Sequence, residues 1–172
     1  NGCITINKVD PNRLENIFSK LRLCGADIKT TKESVSIEMN SDINPVDIQT
    51  QPFPGFPTDM QAQFTVINAL SKGSSVITEN VFENRFMHVQ ELVRMGCNIS
   101  IQGKNAFIQG VKAITGAQVM ATDLRASACL ILAGLCAEGE TIVDRIYHID
   151  RGYERIEEKL SYLGADIVRL PR

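Results

Sequence analysis

The sequence predicts an α/β fold, of mixed α+β character, built from repeated units with helices buried centrally and sheets outside. Two observations carry this prediction. Short alternating strands and glycine-terminated helices recur along the chain in one order. Residues 124–137, LRASACLILAGLCA, are apolar nearly all round after the first turn, and such a helix must be buried on every side. Strands that alternate apolar and polar residues can leave one face of a sheet in water.

The first part of the chain reads as a strand, a helix and further short strands. Asp10 and Pro11 provide an N-cap and a first-turn proline for a helix that Gly25 ends. A stretch rich in Pro, Asp, Asn and Gly follows at 41–58. The strands predicted here are 2–6, 27–30, 34–38 and 46–50.

The remaining chain repeats this pattern with longer helices. Gly103, Lys104 and Asn105 form a hairpin turn between two of the strands. The predicted helices are 59–72, 87–95, 124–137 and 153–163. The predicted strands are 75–78, 98–102, 106–109, 118–121, 141–144 and 166–169.

The recurrence can be read directly in the sequence. FPTDMQAQF, which starts at Phe56, parallels MATDLRASA, which starts at Met120. The helix-ending glycines Gly25, Gly96 and Gly164 are separated by 71 and 68 residues. Regular spacing with matching element order indicates copies of one α/β unit. The sequence therefore predicts one domain, 1–172, with repeats at approximately 1–50 (partial, without its leading half), 56–117 and 118–172.

Composition excludes several classes of protein. The net charge of -2 argues against a nucleic-acid partner, which needs a basic excess. The strongly apolar stretch at 126–137 is too short to span a membrane. Five scattered cysteines without a CxxC pair, and two histidines, favour neither a metal site nor a disulfide framework. We expect reduced cysteines and a cytoplasmic location. The chain begins without methionine, which suggests a processed chain or a fragment.

Four segments carry a more specific signal: FPTDMQAQF, VFENRFMHV, MATDLRAS and DRIYHIDRGYERIEEKL. In order and spacing they resemble the C-terminal portion of the enolpyruvyl transferases that act on UDP-N-acetylglucosamine. The resemblance is close over 56–170 and looser over 2–50. It implies two domains, each an inside-out α/β barrel of three repeats, that close over substrates held between them. This chain would be most of the second domain.

The resemblance also implies the reaction and its partners. The enolpyruvyl group of phosphoenolpyruvate would pass to the sugar 3'-hydroxyl with release of phosphate, the first committed step of peptidoglycan synthesis. No cofactor and no metal are implied. The family's catalytic cysteine, and a lysine and an asparagine that contact phosphoenolpyruvate, lie in a preceding portion that this chain lacks. We therefore expect the chain alone to be inactive and to need that N-terminal portion as its partner.

Asp59 lies at a predicted helix start. Taken alone, Thr58 or Asp59 caps the helix, and the spacing of Thr58 and Gln61 resembles a capping box. The resemblance implies another role, because the matching aspartate hydrogen-bonds the sugar 3'-hydroxyl and is the favoured general base. A sugar hydroxyl needs such an acceptor for its proton. A helix N-terminus would keep the carboxylate ionised, and both roles can hold at once.

Asp123 and Arg125 occupy the equivalent helix start one repeat later. Taken alone, Asp123 is a cap and Arg125 a solvated charge. The resemblance implies that both are catalytic and face the cleft between the domains. Arg125 would then stabilise charge on the carboxylate or phosphate of phosphoenolpyruvate, which a planar guanidinium fits well.

Arg85 and Arg151 follow the second strand of their repeats, in ENRFM and IDRGY. Each alone would be a solvated loop residue, whereas two at equivalent positions suggest an anionic ligand. The resemblance implies that Arg151 binds phosphoenolpyruvate once the cleft closes. It implies that Arg85 takes part in closing the cleft or binds the reaction intermediate. Val81 and Phe82 would be core residues taken alone, and sugar-nucleotide contacts by resemblance.

The remaining chemistry-bearing residues are interpreted as structural. His88 and His148 have no partner spacing that indicates catalysis, and Cys97 follows a helix-ending glycine and is not expected to be a nucleophile. Two alternatives stay open: an enolpyruvyl transferase of the same fold whose acceptor is shikimate phosphate, and a ligand-binding domain without catalysis.

Overall fold

The computed structural model describes residues 2–171. Its strands are β1 (Gly2–Asn7), β2 (Asp27–Thr30), β3 (Ser34–Met39), β4 (Ile48–Gln49), β5 (Ser74–Thr78), β6 (Asn98–Gln102), β7 (Asn105–Gln109), β8 (Gln118–Met120) and β9 (Ile142–Asp144). The α-helices are α1 (Glu15–Leu23), α2 (Gln61–Ala69), α3 (Met87–Arg94), α4 (Leu124–Cys136) and α5 (Ile156–Tyr162). Short 3-10 helices cover Pro11–Leu14, Thr58–Met60 and Ile146–Arg151. Most of the predicted elements are therefore present.

The strands form three sheets. The first has the order β1-β3-β2, and the second has the order β4-β5-β7-β6. In both, a strand, a helix and an antiparallel strand pair follow one another in the chain, as β1-α1-β2-β3 and as β5-α3-β6-β7. The third sheet holds the parallel pair β8 and β9, as the second holds the parallel pair β4 and β5. Within residues 2–171 no strand and helix precede β1 in the way that β4 and α2 precede β5.

The central layer consists of α2 and α4, which pack against each other. Every residue of α2 except Ile67 is buried, and so is the first part of α4 from Ala126 to Ile131. Phe64 of α2 meets Phe56 edge to face, with ring centroids 5.0 Å apart. The fold prediction, helices inside and sheets outside, is confirmed.

The second part of α4 differs from the prediction. Leu132 and Leu135 are 37% and 38% exposed, so burial on every side is wrong for this part. The cause is the small size of the third sheet, which in residues 2–171 holds two strands of three residues each. A sheet this narrow cannot cover the full length of a helix of 13 residues.

The predicted strand at 166–169 is also wrong, because this segment has no regular structure. In the second sheet β6 pairs with β7, which pairs in turn with β5. The third sheet has no described strand between β9 and 166–169, and a cavity of about 760 Å³ lies there instead. A strand needs a hydrogen-bonding neighbour. Arg169 holds the segment through ion pairs with Asp150 and Glu157, each at 2.7 Å.

Smaller differences have local causes. The helix predicted from residue 153 begins at Ile156, because Arg155 has a φ of 45° and interrupts the helical backbone. The strand predicted at 46–50 is reduced to Ile48–Gln49. The predicted domain, 1–172, includes Asn1 and Arg172, which lie outside the described residues. No helix within residues 2–171 is long and apolar enough to cross a lipid bilayer.

Candidate functional site

Asp59 is the centre of a charged cluster that joins three elements. It lies in the 3-10 turn in front of α2, and its Oδ1 accepts hydrogen bonds from Nε of Arg125 at 2.6 Å and from Nη2 of Arg85 at 3.0 Å. Arg125 comes from the first turn of α4, and Arg85 from the loop before α3. Both guanidinium groups bind the same oxygen, so Oδ2 has no protein donor among the described residues. The Asp59 side chain is 61% exposed, and Oδ2 can therefore accept from a ligand.

The charges of this cluster are mutually stabilised. The hydrogen bond from Arg125 lowers the pKa of Asp59 below its usual value, and the charges of Arg125 and Arg85 lower it further. The same hydrogen bond raises the pKa of Arg125. At neutral pH the cluster thus holds one carboxylate between two cations. Asp123 adds a second negative charge that acts on Arg125, so an anionic ligand would bind through the guanidinium N–H groups that Asp59 leaves unused.

The capping role predicted for Thr58 and Asp59 is wrong. Pro57 occupies the N-cap position, and no side chain caps this turn. The Thr58 hydroxyl donates instead to Oε2 of Glu79 at 2.9 Å. Gln61, the other member of the expected capping box, is buried, and its amide atoms have no hydrogen-bond partner within residues 2–171. Asp59 is thus free of the helix backbone and faces the arginines.

Asp123 does act as a helix cap, as its position predicts. Its Oδ1 accepts from the backbone N–H of Arg125 at 2.8 Å and of Ala126 at 3.2 Å. The backbone of Asp123 is extended, with a φ of -159°. The cap fixes the first turn of α4, and this turn carries the arginine that holds Asp59. Asp123 therefore supports the cluster through the backbone of Arg125.

Val81 and Phe82 lie in the loop that follows β5. The core interpretation of Phe82 is wrong, because this side chain is 54% exposed. The guanidinium carbon of Arg85 lies 4.5 Å from the centroid of the Phe82 ring, a cation–π contact. Val81 is half-buried. The loop thus presents an aromatic surface beside the Asp59 cluster.

Arg151 is not brought into the cluster. It ends the 3-10 helix Ile146–Arg151 and is exposed, and its side chain has no hydrogen bond or ion pair with the described part of the chain. The turn that carries it lies against the start of α4, since a Cβ on Gly152 would come within 2.9 Å of a methyl carbon of Leu124. The turn that carries Arg151 thus packs on the helix that carries Arg125, but the Arg151 side chain contacts no member of the cluster.

The histidines and the buried cysteines are in keeping with structural roles. His88 is buried beneath the site and its Nε2 lies 3.4 Å from the Thr65 hydroxyl. Burial lowers the pKa of His88 to about 4, so its ring is neutral. His148 packs beside the Tyr147 ring. Burial raises the pKa of Cys97 to about 11, which makes its thiol a poor nucleophile. Within residues 2–171 no group of three or more His, Cys, Asp or Glu could hold a metal ion.

Glu79 is a site residue that the sequence interpretation passed over. It follows β5 directly, is 3% exposed, and accepts four hydrogen bonds. The sequence offered a signal, because Ser75, Ile77 and Glu79 stand at every second position and so share one face of the strand. In the structure all three are buried. A carboxylate on the core-facing side of a strand needs several donors.

Comparison with known proteins shows which sequences this chain is similar to. The family model described as EPSP synthase (3-phosphoshikimate 1-carboxyvinyltransferase) matches residues 1–160. The chain is 56% identical over 170 residues to a UDP-N-acetylglucosamine 1-carboxyvinyltransferase of Klebsiella pneumoniae, and 56% identical over 169 residues to one of Shewanella baltica. The alignment with the Klebsiella pneumoniae protein includes 98% of this chain and 41% of that protein. This chain therefore spans about two fifths of the curated relatives it matches.

Solved structures give a consistent result for the fold. The enolpyruvyl transferase NikO from Streptomyces tendae superposes with a TM-score of 0.87 at 28% identity, covering 96% of this chain and 40% of that one. An EPSP synthase from Acinetobacter baumannii superposes with a TM-score of 0.64 at 18% identity, over 83% of this chain and 35% of that one. The similarity to the EPSP synthase shows a shared fold only.

Proposed function

Since the chain belongs to the EPSP synthase (3-phosphoshikimate 1-carboxyvinyltransferase) family, we propose that it is part of an enolpyruvyl transferase acting on UDP-N-acetylglucosamine. The reaction would move the enolpyruvyl group of phosphoenolpyruvate to the sugar 3'-hydroxyl and release phosphate, the first committed step of peptidoglycan synthesis in the cytoplasm. One observation carries the proposal: two arginines bind Oδ1 of Asp59 and leave Oδ2 open. The 56% identity to enzymes named for this sugar nucleotide supports the choice of acceptor.

Asp59 is the proposed general base. The 3'-hydroxyl would donate to Oδ2 and lose its proton to that oxygen while the hydroxyl oxygen attacks C2 of phosphoenolpyruvate. An acid in the remaining portion of the enzyme would give a proton to C3, which completes a tetrahedral intermediate. A proton would then return from C3 to that group while phosphate leaves from C2 with the electrons of its C–O bond, and the C2–C3 double bond is restored. The low pKa of Asp59 ensures that the carboxylate is ionised before the substrate binds.

We propose that the arginines bind the negatively charged groups of phosphoenolpyruvate and of the intermediate. Arg125 and Arg85 already converge on one side of Asp59, and their remaining N–H groups can bind the carboxylate or phosphate of phosphoenolpyruvate or the intermediate. Asp123 belongs to the same catalytic group through its cap on the Arg125 turn. Arg151 is exposed and unpaired in the described structure, so it is available for phosphoenolpyruvate once the second domain closes.

Val81 and Phe82 are proposed contacts for the sugar nucleotide. The exposed Phe82 ring lies beside Arg85 and offers a flat apolar face for a base or a sugar. The neighbouring Val81 is half-buried, and its backbone N–H is held by a hydrogen bond to Oε1 of Glu79. We propose no metal or cofactor for this reaction, which proton transfer and charge stabilisation can drive.

The rest of the enzyme is the proposed partner of this chain. Residues 1–172 would form one domain of three repeats, the first incomplete, and the remaining portion would supply the other face of the cleft. The apolar surface left open in the third repeat supports this idea. Leu135, Ile142, Val168 and Leu170 are all exposed around the cavity between β9 and 166–171, and a further strand there would cover them.

The test uses a chimera in which this chain replaces the matching segment of the Klebsiella pneumoniae relative. We expect phosphate release from phosphoenolpyruvate with UDP-N-acetylglucosamine and none with shikimate 3-phosphate. Asp59→Asn should lower kcat by roughly 10²–10⁴-fold, the usual contribution of a general base. Asp27→Asn is the matched control, since Asp27 is equally exposed at 62% and paired with Lys29.

Three outcomes would contradict the proposal. Asp59→Asn could retain the full rate, in which case Asp59 is not the base. Turnover with shikimate 3-phosphate would identify the other acceptor class. Turnover by the 172-residue chain alone, lost in Asp59→Ala, would show that the other portion is not needed.

A further inference from the structure

Glu79 holds together the segments that carry the candidate site. Its Oε1 accepts from the Thr50 hydroxyl at 2.8 Å and from the backbone N–H groups of Val81 at 2.9 Å and Phe82 at 3.1 Å. Its Oε2 accepts from the Thr58 hydroxyl at 2.9 Å. The donors belong to the end of β4, the turn before α2 and the loop after β5. One buried carboxylate therefore joins its own loop to two segments that lie 21 and 29 residues away in the sequence.

Burying the Glu79 carboxylate costs free energy unless all four of its hydrogen bonds are made. A buried carboxylate loses its hydration and regains stability only through donors that remain in place. The donors to Glu79 are two hydroxyls and two backbone amides, all neutral. Neutral donors must be correctly oriented, whereas a mobile lysine could follow the carboxylate. The geometry of these segments is therefore tightly specified around Glu79.

Two of the three segments lead directly to Asp59. Thr58 is the residue before it in the chain. Phe82 contacts Arg85, which donates to Oδ1 of Asp59. Glu79 is thus connected to Asp59 from both sides, once through the backbone of the turn and once through the aromatic contact.

We propose that Glu79 is a positioning residue, which holds the Asp59 turn and the 81–85 loop in register so that Oδ2 of Asp59 faces the acceptor hydroxyl. This inference rests on the proposed function for the identity of that hydroxyl. Thr58 transmits the effect to Asp59, and the two backbone bonds transmit it to the loop. Glu79 itself contacts no reacting atom and is not a catalytic residue.

Thr58→Val is the sharpest test, because it removes the bond to Oε2 and keeps the side-chain shape. A displaced Asp59 loses its bond from Arg125, the main cause of its low pKa. We expect the pKa of Asp59, followed by carboxyl ¹³C NMR in the 172-residue chain, to rise toward its ordinary value. In the chimera, kcat should fall about tenfold, as a small misplacement of a reacting group predicts. The KM for the sugar nucleotide should change less than about twofold, since the loop is still held.

Two further variants separate positioning from a general loss of stability. Thr58→Ser restores the hydroxyl and should restore both the pKa of Asp59 and kcat. Thr78→Val removes another half-buried threonine hydroxyl, one that donates to Asn105 at 2.7 Å, and should leave both quantities unchanged.

The outcomes are distinct. An unchanged pKa of Asp59 and unchanged kcat in Thr58→Val would overturn the positioning role, and so would equal losses in Thr58→Val and Thr78→Val. An inactive wild-type chimera would count against the proposed function. The Asp59 pKa series would then still decide whether Glu79 and Thr58 position the carboxylate.

Discussion

His88 makes the stability of this chain dependent on pH, and replacing it should remove a calculable part of that dependence. The ring is 3% exposed beneath the site, and burial lowers its pKa from 6.5 to about 4. Two charges face it: Asp123 opposes this shift and Arg85 adds to it. Between these two pKa values the unfolded chain binds a proton that the folded chain does not, so stability falls as pH is lowered through this range.

The magnitude follows from the two pKa values. Full linkage corresponds to about 3 kcal/mol, and about 2 kcal/mol of it is already lost at pH 5. Other acidic and basic groups also titrate in this range, but they are common to any variant at position 88. His88→Gln keeps a polar atom close to the position of Nε2, which lies 3.4 Å from the Thr65 hydroxyl, and glutamine does not titrate.

The assay is urea unfolding followed by circular dichroism at pH 8 and pH 5. We expect the free energy of unfolding of the wild-type chain to fall by about 2 kcal/mol more than that of His88→Gln between these pH values. Parallel pH profiles of the two proteins would refute the argument. An NMR titration of the His88 ring in the folded chain gives an independent check, and a midpoint near 6.5 would refute it equally.

Two other predictions concern α4 and the open side of the third sheet. Leu130→Ala should lower the free energy of unfolding by about 3 kcal/mol because this side chain is fully buried. Leu132→Ala should lower it by less than about 1 kcal/mol because Leu132 is 37% exposed. Equal losses for the two variants in urea unfolding would contradict the described burial. Adding the N-terminal portion of the Klebsiella pneumoniae relative should slow amide hydrogen exchange in β9 (Ile142–Asp144) relative to the exposed strand β1 (Gly2–Asn7), and equal exchange with and without it would show that the cavity beside β9 is not the docking site.

Much of the fold could be predicted from local sequence. Residues 98–102 and 105–109 alternate around a Gly-containing turn, and they form the expected hairpin. The apolar composition of α2 and α4 correctly indicated central helices. The errors lie where an element depends on a distant neighbour. Residues 166–169 have a strand-like sequence but no pairing partner, and the second part of α4 has no sheet to cover it.

The sequence predicted which residues belong to the site better than it predicted the hydrogen bonds between them. Asp59, Arg85 and Arg125 were recognised from motifs, yet no spacing rule shows that two arginines bind one oxygen of Asp59 and leave the other open. Phe82 looked like a core residue because aromatic side chains usually are. It is exposed in a loop whose backbone N–H groups at Val81 and Phe82 donate to Glu79.

The sequence alone therefore determined the order of most strands and helices and the identity of the charged residues. These properties depend on periodicity, on helix-ending glycines and on residue type, all of which are local. Only the tertiary structure decided that Asp59 is held by arginines instead of capping α2, that Arg151 stays apart, and that Glu79 joins three segments. Hydrogen bonds between residues 21 to 66 positions apart in the chain make these choices. Local sequence does not show which distant donor reaches a given acceptor.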